Sequence, residues 1–75
     1  MNTVQVRDPH MISFFNEFGN FVGSVFVCSS GRITGGPVVT GDTVAITWES
    51  DAGQRFMSTY SLSSMNFQRV VPVSA

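Results

Sequence analysis

Apolar and polar residues alternate most cleanly over 43–50. There Val44, Ile46 and Trp48 fall on one side, and Thr43, Ala45, Thr47 and Glu49 on the other. A period of two predicts a half-buried strand. Before it lies a β-rich run over 32–40 that holds Gly35, Gly36 and Pro37. Glycine inside a strand marks a bend or a close backbone approach, and proline removes a ladder donor. Gly41-Asp42 separates the two runs as a turn signal. The pattern predicts two antiparallel strands, the first sharply bent, serving two sides of a small closed barrel.

Met1 to Arg7 alternates briefly at Val4 and Val6, as a terminal strand or arm would. Met11, Phe14, Phe15 and Phe18 then recur at i, i+3, i+4 and i+7, one face of a helix. Asp8 is placed to cap that helix, Pro9 suits its first turn, and Gly19 or Asn20 supplies a stop. This predicts a helix over residues 9–18 that docks its phenylalanines on the open barrel. Further strands are predicted over 21–28, 54–60 and 67–71, the last ended by Pro72, with a polar loop over 61–66. A hairpin loop at Asp51-Ala52-Gly53 sets Trp48 opposite Phe56, Val44 opposite Tyr60 and Glu49 opposite Arg55, all favourable cross-strand pairs. The expectation is one mainly β domain over 1–75. It consists of a short N-terminal helix, then a five-stranded, strongly bent antiparallel barrel of SH3-like size.

Composition sharpens this picture. The chain is 75 residues long and 12% charged, against about 25% in an average domain. So thin a polar coat predicts that other subunits cover some of its surface. With a net charge of −1, no basic field advertises nucleic acid, and all four basic residues are arginine (Arg7, Arg32, Arg55, Arg69). Cys28 is the only cysteine, which excludes an internal disulfide and a cysteine metal cluster. No apolar run approaches membrane-spanning length and none resembles a signal peptide, so the expected setting is the cytoplasm, or the host cytoplasm for a viral protein. There is no phosphate-binding Gly-Lys-Ser/Thr and no Gly-x-Ser-x-Gly elbow. One histidine and one cysteine do not furnish a triad or a metal site. The expectation is therefore no enzyme, no cofactor and no metal.

The element order resembles the Sm and Sm-like (LSm) family, in particular its Hfq-like branch. Asp8-Pro9 stands where that branch begins its helix, and Gly31, Gly36 and Asp42 match the family's turn, bend and turn spacing. Val44, Ala45 and Ile46 match the apolar places of its first motif, and Val70-Val71-Pro72 looks like the close of its second. The similarity runs over about residues 8–72 and marks a divergent member, cellular or phage-encoded. Ile46 holds the place of the base-contacting asparagine of other members, and Ser64 and Met65 stand where Hfq has a Lys-His pair. The resemblance implies a homo-oligomeric ring in which strand 54–60 pairs with strand 67–71 of the next subunit. It implies single-stranded RNA, or DNA, at an inner rim where Asp42, Thr43 and Val44 meet Ser64, Met65 and Asn66. Arg32 and Arg69 would be the phosphate contacts, and RNA processing or stability the role. The bland readings are solvated turns and surface arginines. The alternative function is a structural or interaction protein, such as a viral adaptor, that uses the barrel without a nucleic-acid ligand.

Overall fold

A computed structural model describes residues 1–73. It holds seven strands: β1 (Thr3–Val6), β2 (Met11–Phe15), β3 (Phe21–Phe26), β4 (Arg32–Thr40), β5 (Thr43–Glu49), β6 (Arg55–Ser61) and β7 (Phe67–Pro72). They form two antiparallel sheets, β1-β2-β3 and β4-β5-β6-β7.

The helix expected over 9–18 is corrected to a turn, a strand and a second turn. The Asp8 carboxylate does accept two backbone N–H groups, from His10 at 2.7 Å and Met11 at 2.9 Å, but the chain they launch is extended. Ile12 and Phe14, two residues apart, bury completely against the core, while Phe18 is 80% exposed. Asn16 then closes the β2–β3 hairpin. Its side-chain oxygen accepts from Phe18 N–H at 2.9 Å and Asn20 N–H at 3.0 Å. The physical reason is partnership: a three-turn helix is marginal alone, whereas β2 is laddered on both sides, to β1 and to β3.

The closed five-stranded barrel is corrected with it. The first expected barrel strand, β3, pairs with β2 rather than with the bent β4. The inner face of the four-stranded sheet is then covered by a second sheet and is not closed on itself. Val4, Ile12 and Phe14 from one sheet pack with Val44, Ile46, Tyr60 and Leu62 from the other side. The second half of the chain follows the expected order. Trp48 pairs with Phe56, Val44 with Tyr60 and Glu49 with Arg55. β4 bends where its register shifts between Ile33 and Val38.

The two sheets also touch at three further places. β1 approaches β4, Ile33 N–H donates to Pro9 C=O at 2.8 Å, and Tyr60 on β6 donates to Phe26 C=O on β3 at 3.4 Å. The core face of β7 stays largely open. Phe67 and Val70 stand opposite Tyr60 and Ser58, on the core face, yet they are 57% and 46% exposed. None of the described residues forms a helix long and apolar enough to cross a membrane.

Candidate functional site

The hairpin turn before β5 and the loop after β6 come together. Leu62 N–H donates to Asp42 C=O at 2.7 Å. The Asp42 carboxylate accepts from Ser63 N–H at 2.9 Å, Ser61 Oγ at 2.7 Å and Ser63 Oγ at 2.9 Å. The Ser61 and Ser63 hydroxyl bonds hold its carboxyl below the ordinary carboxylate value, because each stabilises the charged form. Ser61 also accepts Ser64 N–H at 3.2 Å through its hydroxyl, and Met65 N–H at 2.9 Å through its carbonyl. The cluster is closed on itself. Its polar groups spend their bonding capacity on one another and tie β5 to β6.

Of the six loop residues expected at a ligand rim, Val44 is fully buried in the core. Met65, at a positive φ of 65°, packs against the core, its sulfur beside Gly23. Asp42 faces the serines, Thr43 is half-buried, and Ser64 and Asn66 are exposed. Arg32 and Arg69 are exposed and are not brought together. They lie on β4 and β7, the two opposite edges of the larger sheet.

Two further arrangements form in the fold. Cys28 Sγ lies 4.0 Å from His10 Nδ1, but the thiol is buried. Burial, and then Asp51 and Asp8, push its pKa up, which favours the thiol over the thiolate. The second feature is the end of the core face of the larger sheet, where half-buried Trp48 stacks on Phe56 with centroids 4.8 Å apart. Phe67, Val70 and Pro72 continue that surface. A hollow of about 380 Å³ opens at its end, between Glu49, Arg55, Phe56, Pro72 and Val73. No three His, Cys, Asp or Glu side chains gather around a common point among the described residues. The signal for the apolar side was the tetrad Trp48, Phe56, Phe67 and Val70, which becomes one surface only once β7 is known to pair with β6.

Compared with models of known protein families, with curated proteins and with solved structures, the chain matches none.

Proposed function

We propose that this chain is a structural interaction subunit that works by associating with other copies of itself. The observation that carries the reading is the core face of β7, where Phe67 and Val70 stand in solvent although their row is buried one strand away at Tyr60 and Ser58. Exposed apolar surface contiguous with a core is a mark of an interface. The scarcity of charge, 12% of residues, supports the same reading. A lone thiol suits reducing surroundings, so the cytoplasm is the proposed compartment. Sedimentation velocity on the full chain at micromolar concentration tests the reading. A concentration-dependent oligomer is expected, and a monomer throughout would overturn it.

A second reading keeps single-stranded RNA or DNA as the ligand, drawing on the meeting of the Asp42 and Ser64–Asn66 loops and on the exposed Arg69. It ranks below the first because the loop groups bond one another and the two arginines lie on opposite edges. Fluorescent oligo-U, oligo-A and single-stranded DNA at low salt separate the readings. Tight binding that weakens steeply with salt would favour nucleic acid, and no binding is expected.

A further inference from the structure

We infer that Met65 is a peroxide-sensitive latch between the two halves of the fold. Its thioether closes a gap at Gly23 on β3, and oxidation to the sulfoxide releases it. The inference does not depend on the self-association proposed above.

The gap is made by β3. Gly23 stands opposite Phe14, whose side chain is fully buried, so it belongs to the core-facing row of that strand. Val25, two residues on in the same row, packs its side chain on the core. Gly23 has no side chain to add. Its place is filled from the other half of the chain, by the loop between β6 and β7. Met65 Sδ and Cε lie 3.1 and 3.2 Å from where a Cβ on Gly23 would stand. The thioether thus rests directly on the β3 backbone.

The loop holds an unfavourable backbone to deliver that side chain. The Ser61 carbonyl accepts Met65 N–H at 2.9 Å, and Ser61 N–H donates to Asn66 C=O at 2.8 Å. This closes a tight turn in which Met65 takes a φ of 65°. Glycine or asparagine adopts that conformation at least cost. Among the described residues every other positive φ belongs to a glycine. The contact on Gly23 offsets the cost of placing a methionine there. The neighbouring tie to β3, from Tyr60 O–H to Phe26 C=O, is long at 3.4 Å, so the thioether is the tighter of the two.

Met65 is half-buried, within reach of a small oxidant such as hydrogen peroxide. The sulfur lone pair takes one peroxide oxygen: an S–O bond forms and the O–O bond breaks. Sulfur loses two electrons and the peroxide is reduced. The proton on the transferred oxygen passes to the departing hydroxide, giving water. The product is a polar, chiral head in place of an apolar one. On the Gly23 side the sulfur has no room for a further atom. Turned inward, the new oxygen would meet the apolar cluster that Met65 packs against. The sulfoxide therefore leaves, and the core beneath Gly23 opens to water. Methionine sulfoxide reductases reverse the step, so the release is a switch. The other methionines do not bridge the sheets. Met1 is exposed, while Met11 pairs with Phe26 and Met57 with Thr47 on the outer faces.

The test treats the folded full chain with dilute hydrogen peroxide. Peptide mass mapping locates the sulfoxide, Trp48 fluorescence follows urea unfolding, and an apolar-surface dye reports opening of the core. Oxidation at Met65 should shift the unfolding equilibrium about five- to thirtyfold towards the unfolded chain and raise dye fluorescence. Both changes should reverse with the two epimer-specific sulfoxide reductases. Met65→Leu keeps an apolar head without an oxidisable sulfur, and peroxide should leave its urea midpoint unchanged. Gly23→Ala gives an independent reading, because its Cβ would press on the same thioether. It should speed oxidation of Met65 relative to Met57 in the same chain. A parent that carries the sulfoxide at Met65 yet keeps its midpoint and dye fluorescence would overturn the latch. So would a Met65 that stays reduced while the chain is folded, a Met65→Leu chain that peroxide destabilises as much as the parent, or an unchanged oxidation ratio in Gly23→Ala.

Discussion

Gly36 sits at the bend of β4 with φ of +93°, and a Cβ there would lie 2.7 Å from Ala45 C=O. Both the conformation and the contact require glycine. Gly36→Val should therefore cost at least about 1–3 kcal/mol from backbone strain alone, seen as a lower urea midpoint; parental stability would show that the bend is relaxed. Asp42 gives a pH-dependent counterpart. Its carboxyl is lowered by Ser61 and Ser63, so the unfolded chain binds its proton more readily than the folded one. The stabilisation is complete above the unfolded carboxyl value of about 3.9 and is lost as pH falls through the lower folded value. Asp42→Asn should flatten that acid limb of the stability curve, and an unchanged limb would assign it to another group. At this scale the sequence was informative: Gly36 and Gly41-Asp42 announce bend and turn by their chemistry. What stayed hidden was where Asp42 spends its oxygens, since Ser61 and Ser63 reach it only through the β5–β6 register.

The strands of the larger sheet were legible because their signals agree, with alternation, turn residues and cross-strand pairs all giving the register in which Trp48 meets Phe56. The N-terminal element was not. Met11, Phe14, Phe15 and Phe18 satisfy a helical period, but Val4, Ile12 and Phe14 also satisfy a strand period, and long-range pairing with β1 and β3 decided between them. Two substitutions separate these states. Phe14→Ala empties a fully buried site and should cost about 3–5 kcal/mol. Phe18→Ser, at an exposed hairpin tip, should change stability by no more than about 0.5 kcal/mol, whereas a docked helix would lose both side chains at similar cost. In β7 the ladder supplies its own control. Val71 turns its N–H towards β6 and Val70 turns its N–H away, as the Val73–Arg55 bond fixes. Val71→Pro should thus be about 1–3 kcal/mol more destabilising than Val70→Pro, because it leaves a ladder acceptor unpaired. Equal losses in chemical denaturation would mean that the ladder alternates the other way.

For the whole molecule, the low charge led to the expectation of covered surface, and the open apolar residues on the core face of β7, Phe67 and Val70, are where apolar surface is exposed. The sequence did not reveal that face because it depends on what the smaller sheet covers, and that sheet turned on the element expected as a helix. The molecule is elongated, 38 × 22 × 16 Å. Its connectivity has a kinetic consequence. Among the described residues each strand forms its ladder with its immediate neighbours in sequence, and one short passage from β3 to β4 joins the two sheets. Every ladder can close as a local hairpin, so the entropy lost in bringing distant segments together is deferred to a single event, the docking of two preformed meanders. Low sequence separation within each ladder favours fast folding.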